Sequence, residues 1–311
     1  MLTPDQIRDF RAQGYLVVED VLPAALLSDI RAEYAALLDG LLESWGLEAL
    51  RGRPFEEQLI EAYKQGHDWF QPLDISLPGD KIAVDTPMHF GPAVFDMVTC
   101  SNILDIVQSL IGPEITSNPI QHVRIKPPAP DLKPDEVRAH ITETDWHQDR
   151  AVALEEADQT DMVTVWLAIT DATVENGCLQ VIPLEDAQEM LPHCPKTQTA
   201  IADGYVDPRR AIPVPVPAGG AVLFDPLVPH SSLPNHSNNI RWSFDLRYNR
   251  TGHPTGRSQF PDFVARSATK PNSVLQDWQL WRDMWENARD RCATADHIEL
   301  HRWRTDAPSC A

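Results

Sequence analysis

A chain of 311 residues with 26 Lys and Arg against 46 Asp and Glu has a formal net charge of −20, and 42% of its residues are hydrophobic. That apolar share can fill a core, so disorder is excluded as the global state. So acidic a surface repels phosphate backbones and anionic lipid headgroups, and no run of Lys or Arg offsets it. No nucleic-acid or membrane partner is expected.

The longest apolar-dominated run, Met162 to Ile169, is far shorter than the ~18 to 20 residues of a membrane helix. The N-terminus carries acidic residues where a signal peptide is basic and then apolar. Five cysteines (Cys100, Cys178, Cys194, Cys292, Cys310), odd in number and without a CxxC pair, read as free thiols in a reducing compartment. A cytoplasmic location is the expectation.

In chain order, Thr3, Pro4 and Gln6 form a capping-box start for a first helix that Gly14 ends, and Tyr15 to Val18 reads as a short strand. After Pro23, Leu26, Leu27, Ile30, Tyr34, Leu37 and Leu38 recur at helical spacing. Residues 51–92 read as loops and short helices, and Asn102 to Leu110 as a helix closed by Gly112-Pro113. Short β-rich runs then follow: Gln121 to Lys126, Met162 to Ile169, Cys178 to Ile182, Ile212 to Val216, Ala221 to Phe224 and Ile240 to Tyr248.

In the last run Ile240, Trp242, Phe244, Leu246 and Tyr248 alternate with Arg241, Ser243, Asp245 and Arg247, one apolar face and one charged. A C-terminal helix from about Ser273 places Trp278, Trp281 and Trp285 on one stripe, read as core packing or as a contact in a homodimer. The pattern predicts a mainly β protein with flanking α-helices, a sandwich or barrel, in one domain spanning 1–311. Its parts are a mostly helical 1–113, a β core 114–250 and a helical extension 251–311.

The segment Thr144 to Arg150 puts His147 and Asp149 two apart, so that on an extended strand both face one way and can chelate. His230, delivered after the run Gly219 to Pro229, is the candidate third ligand. Two histidines and a carboxylate suit a non-heme Fe(II) oxygenase, whereas a zinc site closes with more ligands. Arg241, eleven residues after His230 on a polar strand face, needs an anion, which the far carboxylate of a 2-oxo diacid co-substrate would supply.

Together, WHQD at Trp146 to Asp149, VTVWLAITDATVENGCLQVIP at Val163 to Pro183 and PHSSLPNHSNNIRWSFDLRY at Pro229 to Tyr248 resemble the phytanoyl-CoA dioxygenase family of Fe(II)- and 2-oxoglutarate-dependent oxygenases. The N-terminal LTPDQIRDFRAQGYLVVEDVLP is similar to the family's opening. The resemblance implies iron ligands His147, Asp149 and His230, with Arg241 holding 2-oxoglutarate beside Ser232, and with Gln148 and Trp166 lining the co-substrate pocket. It implies a double-stranded β-helix, a jelly-roll, cupin-like barrel. Its cofactors would be Fe(II), 2-oxoglutarate and O2.

Arg124 can face the pocket as a further co-substrate or substrate contact, or form a surface ion pair. His89 and His140 are candidate pocket residues, His236 a loop residue, and Asp145 and Arg150 candidate supports of the ligands. Halogenating relatives carry a small residue where Asp149 stands, so hydroxylation or a related C–H oxidation is expected. The charge of −20 favours a neutral or cationic small-molecule substrate over an acyl-CoA. Two other classes stay open, a zinc cupin-like enzyme and a non-catalytic 2-oxoglutarate sensor.

Overall fold

The structure is a computed structural model that describes residues 1–79, 81–138, 140–184, 189–196 and 198–310. The helices are α1 (Pro4–Gln13), α2 (Ala24–Ser44), α3 (Phe55–Lys64), α4 (Phe70–Leu73), α5 (Pro92–Val98), α6 (Ser101–Ile111), α7 (Asp149–Val152) and α8 (Trp278–Thr294). The strands are β1 (Tyr15–Val18), β2 (Ile115–Lys126), β3 (Met162–Ala168), β4 (Leu179–Val181), β5 (His193–Pro195), β6 (Thr199–Ile201), β7 (Ile212–Val214), β8 (Ala221–Phe224), β9 (His230–Ser232), β10 (Arg241–Arg250) and β11 (Phe263–Arg266).

The first helix starts as its capping box dictates. Thr3 Oγ1 accepts from Gln6 N at 3.2 Å and Gln6 Oε1 accepts from Thr3 N at 2.9 Å. Gly14 ends it at φ 75°, where a Cβ would sit 2.4 Å from Leu184. The turn feeds β1 into the edge of a six-stranded antiparallel sheet, ordered β1-β8-β3-β10-β2-β11. A three-stranded sheet, β7-β4-β9, faces it, and β5 and β6 form a separate pair. This is the double-stranded β-helix arrangement, two facing antiparallel sheets that do not join into a closed ring among the described residues.

Strand β10 organises the interior. Trp242, Phe244, Leu246 and Tyr248 enter the main hydrophobic core, which the helices α2, α3, α5, α6 and α8 cover. On its other face Arg241, Ser243, Asp245 and Arg247 are also buried, turned toward the smaller sheet. A second apolar cluster, including Trp166, Leu179, Val181, Val222 and Phe224, fills the space between the sheets. The tryptophan stripe packs inward: Trp281 meets Phe90 edge-on at 4.7 Å and Trp285 stacks on it at 5.0 Å.

Several expectations shift in detail. Strand β2 begins at Ile115, six residues before the predicted start, and takes in Pro119. The three-residue strands β5, β6 and β9 were not anticipated, because they lack the apolar β-rich run that marked the equally short β4 and β7, and the four-residue β11 was not anticipated either. Residues 92–111, helices α5 and α6 with Thr99 and Cys100 between them, make a longer apolar stretch than Met162 to Ile169, which forms β3. The expectation of five free cysteines is corrected: Cys194 and Cys310 form a disulfide 116 residues apart, because the C-terminal segment folds back beside β5. Cys100, Cys178 and Cys292 are free and buried.

Candidate metal centre

The three predicted ligands converge. Strand β9 delivers His230, and the backbone of His147 pairs with it as an isolated antiparallel bridge, each N–H donating to the other's carbonyl at 3.0 Å. The backbone stays extended through Gln148 and turns into α7 at Asp149, so the carboxylate opens a helix and does not continue a strand as expected. The result is still a chelate. The Nε2 atoms of His147 and His230 lie 3.7 and 3.8 Å from Asp149 Oδ1, and the three donor atoms fall within 4.8 Å of one another.

Each imidazole has a fixed tautomer. His147 Nδ1 donates to Asp145 O at 2.8 Å and His230 Nδ1 to Val228 O at 3.0 Å, which leaves both Nε2 lone pairs for a metal. Burial, with His230 beside it, pushes His147 down to about 3, so it offers a neutral imidazole. Burial alone would raise the Asp149 carboxyl, but Arg247 and the two histidines hold it well below the usual carboxylate range. Arg247 Nη2 donates to Asp149 Oδ1, and Thr164 Oγ1 donates to Oδ2 at 2.5 Å.

A cationic cradle lies next along the same strands. On β9, His230 and Ser232 face one side about 7 Å apart, the two-residue repeat of a strand. Ser232 Oγ accepts from Lys126 Nζ at 2.8 Å and from Thr144 N at 2.8 Å. Lys126 stands directly opposite Arg241 in the β2/β10 register, and both are buried. Arg241 donates to Ser243 Oγ at 2.7 Å and Gly177 O at 3.2 Å, and its guanidinium lies over the Trp166 ring, 5.2 Å from the centroid.

Among the described residues neither cation has a carboxylate within 4.0 Å. Burial, with Arg124 nearby, pushes Arg241 down to about 9, and burial plus Arg241 holds Lys126 well below its ordinary value. Two buried charges without counter-ions, beside the unpartnered Trp166 indole N–H, fit a dicarboxylate. Gly177, at φ 89°, forms one wall: a Cβ there would meet Leu233 O at 2.5 Å and Lys126 Cδ at 3.0 Å.

Other predicted residues sit differently. Gln148 points away from the cradle: between two ligands that face the metal, its alternate side chain bonds Leu227 O at 2.6 Å and Leu191 N at 2.7 Å. Arg124 is a half-buried ion-pair partner of Asp245, at 3.0 Å, and a wall of the neighbouring cavity. His140 lines that cavity, stacked on Phe70 at 4.4 Å, while His89 is tied to Glu33 at 2.8 Å among the helices. His236 is exposed. Asp145 supports His147 through its carbonyl, and Arg150 instead donates to Ala157 O and Thr160 O.

Two supports were missed. His193 Nε2 accepts from Gln148 N at 3.0 Å, fixing the peptide between the ligands, and only its tertiary position reveals it. Arg247 carried a signal, its place on the polar face of β10 with Arg241.

The sequence profile of the phytanoyl-CoA dioxygenase family matches residues 10–243. A methylphosphonate hydroxylase of Gimesia maris is 35% identical over 98 residues, 32% of this chain and 37% of that protein. A probable phytanoyl-CoA dioxygenase of Caenorhabditis elegans is 22% identical over 310 residues, 91% of each chain. Among solved structures, the non-heme monooxygenase ThoJ superposes with a TM-score of 0.57 at 18% identity, covering 92% of this chain and 98% of its own. The α-ketoglutarate-dependent epimerase SnoN, solved with Fe3+ and α-ketoglutarate, gives 0.52 at 18% identity, covering 82% and 87%. With the profile covering three-quarters of the chain, the ligand triad and Arg241 included, the chain belongs to the phytanoyl-CoA dioxygenase family, whose cofactors are Fe(II), 2-oxoglutarate and O2.

Proposed function

We propose that this protein hydroxylates an unactivated C–H bond of a small molecule, with release of succinate and CO2. The observation that carries the reading is the retained carboxylate: Asp149 closes the triad with His147 and His230, which leaves no ligand position for a halide in its stead. Support also comes from the relative that is a methylphosphonate hydroxylase.

Bound iron, with 2-oxoglutarate and dioxygen, supplies the oxidising power that such a site applies to a C–H bond. The chain's own residues do the positioning. His147 and His230 present Nε2 while their Nδ1 protons stay on backbone carbonyls. Thr164 and Arg247 aim the Asp149 carboxylate and keep it ionised. Lys126, Ser232 and Arg241 would take the distal carboxylate of 2-oxoglutarate, with its 2-oxo acid end directed to the triad. Phe224, stacked on His230 at 4.7 Å, helps keep that side dry.

Anaerobic titration of the protein with Fe(II) and 2-oxoglutarate tests this, read by the weak visible charge-transfer band of the chelate. The band is expected in the wild type and lost in His147→Ala and Arg241→Ala; a substrate screen then reads hydroxylated product together with succinate. A well-folded protein without the band, or succinate release coupled to a product that has gained no oxygen, would sink the reading.

A further inference from the structure

We infer that the substrate is a small organic anion whose charged head is received by Arg257 in the cavity beside His147. The inference rests on the oxygenase reading and names the substrate class of that same site. The cavity has a volume of about 810 Å³, ordinary for a small-molecule site, and His147 forms part of its wall. Its lining brings together Lys81, Arg124, Arg138, Arg247 and Arg257, against the carboxylates Asp68 and Asp74. Three of these arginines have acidic partners: Arg124 has Asp245, Arg138 has Asp68 and Glu136, and Arg247 has Asp149.

Arg257 differs from them. It is 6% exposed, and its guanidinium donates to two carbonyls, Leu300 O and Val152 O, the latter at 2.8 Å. Among the described residues no carboxylate lies within 4.0 Å of it. Carbonyls satisfy its N–H groups but leave the positive charge uncancelled, and a guanidinium does not escape by losing its proton. Burial, with Arg247 nearby, pushes Arg257 down to about 10, the mark of a charge held at a cost. A ligand anion in the cavity removes that cost. Phe70, Ile120 and Phe260 on the same lining suit an organic body attached to the head group.

The net charge of −20 led to the opposite expectation, a neutral or cationic substrate. It acts at long range and is screened beyond about 8 Å at physiological ionic strength. Inside the cavity the nearby arginines decide.

Isothermal titration calorimetry on Fe(II)-loaded protein, anaerobic and saturated with 2-oxoglutarate so that the Lys126/Arg241 cradle is filled, tests the assignment. Propylphosphonate and butyrate serve as anionic probes, butyramide as the neutral one and butylammonium as the cationic one. The anions are expected to bind at least about tenfold more tightly than the other two, and the better anion identifies the head group. Arg257→Gln should lose that preference while the Fe(II)/2-oxoglutarate band stays intact, and Arg257→Lys should keep part of it. Equal or tighter binding of the neutral or cationic probe, no binding of either anion, or an unchanged preference in Arg257→Gln would overturn the assignment. If Arg257→Gln does not fold, the wild-type ranking decides. Loss of the band in the wild type would instead fall on the oxygenase reading, which this arm reports separately.

Discussion

At Asp149 a single carboxylate answers to three kinds of neighbour, the two imidazoles it would share a metal with, a threonine hydroxyl and the Arg247 guanidinium. Removing one partner of a buried ion pair costs about 3 to 5 kcal/mol, because the other charge is left uncompensated. Arg247→Met should therefore lower the melting temperature of the metal-free protein sharply, and a divalent metal should restore much of the loss by taking over the carboxylate. An equal loss with and without metal would contradict that role. At the cradle, Gly177→Ala should weaken 2-oxoglutarate binding by about tenfold or more, through a Cβ forced against Leu233 O and Lys126. Gly204→Ala is the matched control: its φ of 84° carries the same backbone strain with nothing within 4 Å. Unequal affinities in titrations of the two variants support the wall, and equal ones remove it. The His-x-Asp pair, His230 and Arg241 were legible from their residue types and the two-residue chelate spacing together with the family resemblance, and the structure brings the three ligands together. Lys126 and His193 were not, because a lysine before a KPP turn and one histidine among 11 acquire meaning only from what the fold sets opposite them.

Elements with a full period were readable, and so were the short strands β1, β4, β7 and β8, whose apolar β-rich runs stand between turn residues. The alternation along β10 gave both its faces, and the capping box with Gly14 fixed both ends of α1. The unread three-residue strands β5, β6 and β9 exist because neighbours pair with them, as His230 of β9 pairs with Val181. The segment after α8 shows the same dependence. No regular pattern marks residues 295–310, yet Trp303 Nε1 donates to Ala151 O at 2.8 Å, Arg302 pairs with Asp158, and Cys310 is bonded to Cys194. Leu300 and His301 from this segment wall the cavity. Cys310→Ser, or a reductant acting on the wild type, should expose bonds in 295–310 to limited proteolysis while the β core resists. Mass spectrometry of the fragments checks this, and unchanged resistance of the segment would show that the other anchors suffice.

Over the whole molecule, acid should act through buried neutral histidines more than through the acidic surface. Burial pushes His193 down to about 4, from an ordinary value near 6.5. Between those values the unfolded chain binds a proton that the folded one refuses, so stability present at neutral pH is lost as the pH falls from about 6.5 toward 4. At pH 5 this histidine costs up to about 2 kcal/mol relative to pH 8, since a tenfold difference in proton affinity between the folded and unfolded chain is worth about 1.4 kcal/mol. Urea melts should show the destabilisation by His193→Gln shrinking by that order between pH 8 and pH 5; a constant difference would mean that His193 accepts its proton freely in the folded state. The bridge between His147 and His230 has a different consequence. Because the two backbones hold each other at 3.0 Å, the separation of the imidazoles is set by the sheet and does not wait for an ion to organise it. A socket built in advance saves reorganisation for whichever ion arrives, so it does little to discriminate among first-row metals, and nickel, copper or zinc should lodge there at least as firmly as iron. Occupancy is then governed by which ion the surroundings supply, and the history of a preparation sets how much of it can turn over.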